Sequence, residues 1–301
     1  MENREFIEIP LDEHDAELLP SLYERFASIW SDTSEQPRAL YDKFIATTPI
    51  ADGVKFRPAT SAQPPGMWCE PSSGSAQTAM LYLHGGAYVM GSAHAYRGFV
   101  SQIAARAQRS AFILDYTLAP EATIPVAIDQ ARAAADSLLA SYPRIVIAGD
   151  SAGGGLALAT LWELPERKRV DAAVLFSPWL DLTLSGRSVQ EKAGDDVLLS
   201  QATLAGAAQS YAGAFPLDDP RASPLFGTPR GLPPILIQVG SQEILLDDSL
   251  RFAVEARNAE VPITLELWQG MPHVFQVNVG ALASSQRALD HAVAFLRRND
   301  S

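Results

Sequence analysis

Short apolar runs alternate with longer amphipathic stretches along the chain from residue 79 onward. The apolar runs are rich in Val, Ile, Leu or Phe, which is typical of buried parallel strands, and they are Ala79–Leu83, Ala111–Leu114, Arg144–Ala148, Ala172–Phe176, Ile235–Val239 and Ile263–Leu267. Helical patterns alternate with them, near 98–108, 125–140, 153–164, 246–258 and 281–297. This alternation predicts βαβ units, and therefore an α/β fold with a mostly parallel central sheet flanked by helices.

Two extended stretches that precede these units predict a different kind of strand pairing. Val54–Pro58 and Gly66–Glu70 are separated by the sequence SAQPP at 61–65, which is rich in turn-forming residues. Extended stretches joined by such a turn favour an antiparallel hairpin. We therefore expect a hairpin at one edge of the sheet, which makes the sheet mixed.

The N-terminal region predicts helices that lie outside the sheet. Within residues 1–47, large apolar side chains such as Leu18, Phe26 and Trp30 recur near helical spacing. A second region, about 184–222, is irregular and interrupts the alternation of strands and helices. We expect the first region to lie across the sheet as a cap and the second to contribute to the same cap.

Composition supports one large globular unit. The 301 residues are 47% apolar and 19% charged, which is enough apolar sequence to bury a sizeable core. The formal net charge of −12 repels the phosphates of nucleic acids and anionic lipid surfaces. Neutral small molecules are therefore better candidate partners than nucleic acid.

The termini and the cysteine content indicate a cytoplasmic protein. The N-terminus is acidic and interrupted by charges, so it lacks the basic start and apolar run of a secretory signal. No run of about 18 uncharged apolar residues predicts a membrane span. Cys69 is the only cysteine, which excludes an internal disulfide and is consistent with a reducing compartment.

The strongest chemical motif is Gly-Asp-Ser-Ala-Gly at 149–153, directly after a predicted strand and at the start of a predicted helix. A serine in this context lies on a tight turn that exposes its hydroxyl, and glycines are needed on both sides because side chains there would clash. The helix N-terminus also offers free N–H groups to a developing negative charge. We therefore expect Ser151 to be a nucleophile.

A second glycine motif follows the strand Ala79–Leu83. His84-Gly85-Gly86-Ala87 lies at the same carboxyl edge of the sheet as Ser151. We expect the N–H groups of Gly85, Gly86 and Ala152 to form an oxyanion hole, in which such donors stabilise a tetrahedral intermediate. The His84 side chain fits a structural role in this loop better than the role of a second base.

Together these motifs resemble the bacterial hormone-sensitive-lipase family of esterases. The matching segments are His84-Gly85-Gly86-Ala87, Asp115-Tyr116-Thr117-Leu118-Ala119-Pro120-Glu121, Gly149-Asp150-Ser151-Ala152-Gly153, Ser177-Pro178-Trp179, Ser223-Pro224-Leu225 and His273-Val274-Phe275. The resemblance implies an α/β-hydrolase fold, with a helical cap segment over 1–47 and a catalytic domain over 48–301. It also implies hydrolysis of short- to medium-chain acyl esters, and it suggests a homodimer.

The remaining triad members follow from the order Ser, acid, His that is usual in this fold. Among the five histidines only His273 lies in the loop after the last predicted strand, a turn-rich loop suited to a general base. Glu243 follows the strand Ile235–Val239 and fits the position of the acid, although the family often has aspartate there. Asp247 and Asp248 are the rivals, since they begin the next helix and fit a capping role as well.

Five apolar residues near these motifs could line a substrate pocket, and each could equally belong to the core. They are Tyr88, Val89, Met90, Trp179 and Phe275. An apolar pocket discriminates weakly between neighbouring chain lengths, so no particular ester is predicted.

Other functions remain open at this point. An amidase, lactonase or peptidase would use the same triad, and a non-catalytic ligand-binding homologue would keep the same fold. The presence of His273 favours an enzyme over such a binding protein. No nucleotide-binding or metal-binding motif occurs, so neither a cofactor nor a metal is expected.

Overall fold

The computed structural model describes residues 4–75 and 77–300, and it places nine strands in one sheet with helices on both faces. The strands are β1 (Arg4–Ile9), β2 (Val54–Pro58), β3 (Gly66–Pro71), β4 (Thr78–Leu83), β5 (Ala111–Leu114), β6 (Arg144–Asp150), β7 (Val170–Phe176), β8 (Ile235–Gly240) and β9 (Ile263–Trp268). The helices are α1 (Glu13–Trp30), α2 (Pro37–Ile45), α3 (Ala93–Ala107), α4 (Val126–Ser141), α5 (Ala152–Glu163), α6 (Ser188–Glu191), α7 (Gln201–Ala212), α8 (Leu246–Asn258) and α9 (Ala283–Arg298).

The sheet is mostly parallel and its strand order is β1-β9-β8-β7-β6-β4-β5-β3-β2. In this spatial order, the seven strands β1, β9, β8, β7, β6, β4 and β5 are all paired in parallel with their neighbours. Strand β3 pairs antiparallel with both β5 and β2. The predicted α/β architecture and the edge hairpin are therefore confirmed. The six predicted buried strands and the five predicted helices are all present, with small differences at their ends.

Strand β1 corrects the prediction that residues 1–47 are helical. Residues Arg4–Ile9 form a strand that pairs in parallel with β9, and the first helix begins only at Glu13, where the Asp12 side chain caps it. The physical reason is that β9 has an edge of backbone groups that need partners, and this tertiary demand outweighs local propensity. Residues 1–3 lie outside the described part of the chain.

The core lies on both faces of the sheet because strand side chains alternate between the faces. On β4, Leu81 and Leu83 belong to the cluster that includes α4 and α5, whereas Met80 and Tyr82 belong to the cluster that includes α3 and α9. Helices therefore bury both faces, as a parallel sheet requires. Because β4 and β6 are parallel, the loops that follow them lie side by side at the carboxyl end of the sheet.

The two regions outside the alternation both contain helices. Helices α1 and α2 pack against each other through Phe26 and Phe44, whose rings meet edge to face with centroids 5.1 Å apart. The segment predicted as irregular, 184–222, contains α6 and α7. Within the described residues, no helix combines the length and the apolar character that a bilayer crossing requires.

Candidate active site

Ser151 lies on a sharp turn between β6 and α5. Its backbone is left-handed, with φ of 51° and ψ of −122°, which is uncommon for a residue other than glycine. A Cβ on Gly149 would lie 2.4 Å from the Gly153 carbonyl oxygen, and a Cβ on Gly153 would lie 2.0 Å from that of Leu83. Only glycines fit these two positions, so the motif sequence and this strained turn explain each other.

The loops after β8 and β9 bring an imidazole and a carboxylate to this serine. His273 Nε2 lies 2.9 Å from Ser151 Oγ, and His273 Nδ1 lies 2.7 Å from Glu243 Oε2. All three side chains are buried. The structure thus joins the three residues predicted from sequence in one line of hydrogen bonds, across 122 residues between Ser151 and His273.

Glu243 and its rival Asp247 have different partners. The second oxygen of Glu243, Oε1, accepts a hydrogen bond of 2.7 Å from the Ser177 hydroxyl and another from the Gly240 N–H. Asp247 instead accepts the backbone N–H of Arg187 at 2.7 Å. Of these two carboxylates, the one in contact with the imidazole is therefore that of Glu243.

Ser177 is a site residue that the sequence analysis assigned only to a family motif. Its hydroxyl donates to Glu243 and accepts the N–H of Val274 at 3.1 Å, so it bridges the loop of the carboxylate and the loop of the imidazole. The side chain is fully buried. A serine directly after the buried strand β7 was the available signal, because this position lies at the same sheet edge as Ser151.

The electrostatic surroundings of His273 favour its protonated form. Burial alone lowers the pKa of an imidazole, but the charge of the Glu243 carboxylate and its hydrogen bond act in the opposite direction. Asp196 and Asp150 add further negative charge, and the net result is a pKa of His273 above its ordinary value. The imidazole is therefore a stronger base than a solvent-exposed histidine.

The predicted oxyanion hole needs one correction. The Gly85 N–H donates to Asp150 Oδ1 at 3.0 Å, so it is not free to bind an oxyanion. Within the described chain, no acceptor lies in hydrogen-bond range of the N–H groups of Gly86, Ala87 and Ala152. Two of the three predicted donors therefore remain available, and Ala87 is a candidate that the sequence analysis missed.

The backbone of the glycine loop explains why its N–H groups are exposed. Gly86, Ala87 and Tyr88 are consecutive left-handed residues with φ of 107°, 53° and 64°. A Cβ on Gly86 would lie 2.3 Å from the Met90 carbonyl oxygen, so glycine is required at this position. Such a turn can leave successive N–H groups without acceptors inside the loop, and Gly86 and Ala87 line the adjacent cavity.

Asp150 is a buried carboxylate directly before the serine. Its Oδ1 accepts hydrogen bonds from the Tyr82 hydroxyl at 2.8 Å and from Gly85, and its Oδ2 accepts the Tyr96 hydroxyl at 2.7 Å. Burial raises the pKa of Asp150 to about 6, although these hydrogen bonds act to lower it. Asp150 therefore anchors the glycine loop, a role that motif spacing did not reveal.

His84 and Cys69 do not belong to the reactive constellation. His84 is buried, its Nδ1 lies 2.8 Å from the Gly85 carbonyl oxygen, and its ring stacks on Tyr116 with centroids 4.3 Å apart. These contacts agree with the structural role expected for His84. Burial raises the pKa of Cys69 to about 12, so its thiol is a poor nucleophile.

A cavity of about 290 Å³ opens next to Ser151 and His273. Its walls are mostly apolar and come from the N-terminal helices, the segment before and within α7, and the loops around the serine. The lining residues include Phe26, Trp30, Tyr41, Phe44, Ile45, Met90, Leu198, Leu199, Leu204 and Val277. Most of these walls lie far in sequence from the catalytic motifs, which is why the motifs did not predict them.

The predicted pocket residues require a second correction. Only Met90 lines the cavity, and the other four do not; they are Tyr88, Val89, Trp179 and Phe275. Three of these four are almost fully buried within the hydrophobic core, and Val89 packs partly buried against it. The reason is that large side chains near the ends of buried strands pack into the core. The cavity is lined instead by residues of the N-terminal helices and by the segment around Leu198.

Metal ligation is not supported by the described part of the chain. Residues 4–75 and 77–300 contain no group of three His, Cys, Asp or Glu side chains arranged to hold a metal ion.

Two relatives of this chain are hydrolases by name. An acetyl-hydrolase of Streptomyces hygroscopicus is 39% identical over 235 residues, which cover 76% of this chain and 78% of that protein. An esterase of Acinetobacter venetianus is 36% identical over 264 residues, which cover 86% of this chain and 87% of that protein.

The sheet order, the serine turn and the loop positions of the imidazole and carboxylate are those of an α/β hydrolase, and a family model described as alpha/beta hydrolase fold matches residues 80–277. A solved esterase of the bacterial hormone-sensitive-lipase family has a TM-score of 0.88 and 34% identity, covering 93% of this chain and 97% of that one. A hormone-sensitive lipase from a metagenome library has a TM-score of 0.84 and 32% identity, covering 93% of this chain and 99% of that one. The chain belongs to the hormone-sensitive-lipase family of α/β hydrolases, the family that its motifs resemble.

Proposed function

We propose that this protein is a serine esterase that hydrolyses short- to medium-chain carboxylic acyl esters, with Ser151 as nucleophile, His273 as general base and Glu243 as the orienting acid. Membership of the family makes the chain a carboxylic ester hydrolase. The observation that carries the finer proposal is the line of hydrogen bonds, 2.9 Å from Ser151 to His273 and 2.7 Å from His273 to Glu243.

The tautomer of His273 follows from its two partners. An ionised carboxylate only accepts hydrogen bonds, so Nδ1 must carry the proton that is shared with Glu243. Neutral imidazole then has its lone pair on Nε2, which faces the Ser151 hydroxyl. This is the arrangement that a general base needs in order to take the serine proton.

Acylation proceeds by two proton transfers through the same nitrogen. Ser151 Oγ forms a bond to the ester carbonyl carbon while its proton moves to His273 Nε2, and the carbonyl oxygen becomes an oxyanion. The free N–H groups of Gly86, Ala87 and Ala152 stabilise that charge. His273 then donates the proton to the leaving alkoxide, the carbon–oxygen bond breaks, and the alcohol departs from an acyl-enzyme.

Deacylation repeats the sequence with water as the nucleophile. Water loses a proton to His273 Nε2 as its oxygen attacks the acyl carbon, and the proton then passes to Ser151 Oγ as the acid leaves. Glu243 stabilises the imidazolium in both halves without itself becoming protonated.

The cavity supports short to medium acyl chains. Its volume of about 290 Å³ lies at the small end of the range of about 300–1,000 Å³ that is typical of ligand pockets. Its largely apolar walls favour alkyl and aryl groups over charged ones. We assign the helical part of residues 1–47 and the segment 184–222 to a cap over the cavity. Phe26, Trp30 and Leu198 from these regions line the cavity.

A panel of aryl esters tests this proposal. Acyl chains of two to eight carbons should be hydrolysed faster than chains of twelve or more, since the longer chains exceed the cavity. A serine-directed phosphonate should label Ser151, and Ser151→Ala should abolish both labelling and hydrolysis while circular dichroism shows an intact fold. Faster turnover of the matching aryl amides, or labelling of another residue, would contradict the proposal.

A further inference from the structure

Tyr41 connects the wall of the cavity to the groups beneath the serine. It lies on α2, its side chain lines the cavity, and its hydroxyl oxygen lies 2.7 Å from that of Tyr96 on α3. Tyr96 is fully buried, and its hydroxyl is 2.7 Å from Asp150 Oδ2. The other oxygen of Asp150 accepts the Gly85 N–H. One continuous line of hydrogen bonds therefore runs from α2 to the glycine loop.

The direction of each hydrogen bond in this line is fixed. Ionised Asp150 only accepts, so the Tyr96 hydroxyl must donate its single proton to Asp150. The Tyr96 oxygen can then only accept from Tyr41, so the Tyr41 hydroxyl is the donor at the other end. Donation from Tyr41 polarises the Tyr96 hydroxyl and strengthens its bond to Asp150, because hydrogen bonds in a chain reinforce one another.

We propose that Tyr41 is a positioning residue for the reaction: through Tyr96 and Asp150, its hydroxyl holds the glycine loop in the geometry that presents the oxyanion-binding N–H groups. The proposal rests on the esterase mechanism given above. Asp150 accepts a hydrogen bond from the N–H of Gly85, and the next N–H along the chain, that of Gly86, has no acceptor of its own among the described residues. A weaker hydrogen bond between Gly85 and Asp150 should therefore displace the Gly86 N–H first.

This role differs measurably from that of a pocket wall. The Tyr41 ring contributes to the cavity, whereas its hydroxyl points into the buried network. Loss of the hydroxyl alone keeps the wall and weakens only interactions that the oxyanion feels in the transition state. Such a loss lowers kcat and kcat/KM together and leaves KM almost unchanged.

Tyr41→Phe is the direct test, with a short-chain aryl ester as substrate. We expect kcat and kcat/KM to fall together by about three- to tenfold, the factor that corresponds to one net hydrogen bond. Tyr142→Phe is the matched control, because this tyrosine packs against Trp68 and precedes the amino end of β6, whereas Ser151 follows the carboxyl end of that strand; it should retain the wild-type rate. An unchanged kcat in Tyr41→Phe, or a change confined to KM, would overturn the proposal.

A double-mutant cycle tests the route through Tyr96. If Tyr41 acts through Tyr96, the double variant Tyr41→Phe/Tyr96→Phe should be no slower than Tyr96→Phe alone, whereas independent effects would multiply and exclude the route. If Tyr96→Phe does not fold, the proposal is still decided by whether Tyr41→Phe changes kcat or changes only KM. Ser151→Ala separates the two hypotheses: activity in that variant refutes the proposed function, whereas an inactive Ser151→Ala beside a fully active Tyr41→Phe refutes only the role of Tyr41.

Discussion

The raised pKa of His273 should set the acidic limit of activity. Only neutral imidazole can accept the serine proton, and the imidazolium persists to higher pH when its pKa lies above the ordinary value of 6.5. We therefore expect kcat/KM to fall as the pH decreases through a midpoint above 6.5. A pH–rate profile from pH 5 to 9 with circular dichroism at each pH checks this, and a midpoint at or below 6.5 would contradict it.

The positions of Ser151, Glu243 and His273 could be predicted from local sequence. Ser151 lies between glycines after a strand, and Glu243 and His273 follow later strands in the expected order, so the strand positions place them at the same end of the sheet. Ala87 was not predictable in this way. Which N–H groups remain free depends on Asp150, which accepts the Gly85 N–H across 65 residues of sequence.

Replacement of the orienting carboxylate tests the assignment of the acid. Glu243→Gln keeps the shape of the side chain but removes the charge that stabilises the imidazolium, so we expect kcat to fall by about 10²–10⁴. Asp247→Asn is the control, since Asp247 contacts backbone N–H groups of another segment, and it should retain most of the activity. Steady-state kinetics with one aryl ester compare the two, and the opposite ranking would make Asp247 the acid.

At the scale of elements, strands and helices with a continuous apolar pattern were predicted well, and β1 was not. Six residues that include three charged side chains carry too little periodicity to be identified. Their strand conformation comes instead from pairing with β9. The same limit applies to α7 within the segment 184–222, because its buried side chains, such as Leu204 and Tyr211, pack against core residues that are distant in sequence.

Strand β1 should stabilise the fold through its inward side chain. Ile9 is buried in a cluster with Trp268, Met271 and Phe275, whereas Phe6 on the same strand is 49% exposed. Ile9→Ala should lower the free energy of unfolding by about 2–5 kcal/mol. Phe6→Ala, the control, should change it by no more than about 0.5 kcal/mol. Urea unfolding of both variants measures the difference, and equal effects would mean that β1 contributes little.

Asp196 should fix the wall of the cavity that belongs to the segment 184–222. Its Oδ1 accepts the N–H groups of Leu198 and Leu199, both at 2.9 Å, and its Oδ2 accepts that of Ile244, next to Glu243. Asp196→Ala leaves these donors without their partner, at about 1–3 kcal/mol for each one that stays buried.

We therefore expect Asp196→Ala to have a lower melting temperature and a higher KM, with an altered acyl-chain preference. Asp195→Ala is the neighbouring control, because Asp195 is exposed and, among the described residues, its carboxylate forms an ion pair with Lys192 alone. Chain-length profiles and thermal unfolding of both variants provide the measurement. A wild-type profile in Asp196→Ala would show that this carboxylate does not set the wall.

At the scale of the whole molecule, the net charge of −12 influences which esters reach the site. A negative field repels anionic substrates, and salt screens this repulsion. An ester with a free carboxylate should show a lower kcat/KM than its neutral isostere, and the gap should narrow between about 10 mM and 0.5 M salt. A gap that is independent of salt would assign the discrimination to the apolar walls instead.

The homodimer suggested by the family resemblance stays a prediction. Strands β1 and β2 are the two outer strands of the sheet, so each has one edge without a neighbouring strand in the described chain. Light scattering across a range of protein concentrations determines the mass in solution. A mass near 32.4 kDa at every concentration would contradict the dimer.

The separate origin of the cavity walls has a consequence for how such a protein diversifies. The proposed catalytic groups lie on loops at the carboxyl end of the sheet, whereas most of the apolar cavity walls come from α1, α2 and the residues around Leu198. Mutations that reshape these peripheral helices can redirect selectivity while the reacting atoms keep their positions. Laboratory evolution toward esters of bulkier alcohols or acids should therefore accumulate its beneficial mutations in α1, α2 and the residues around Leu198 rather than beside Ser151.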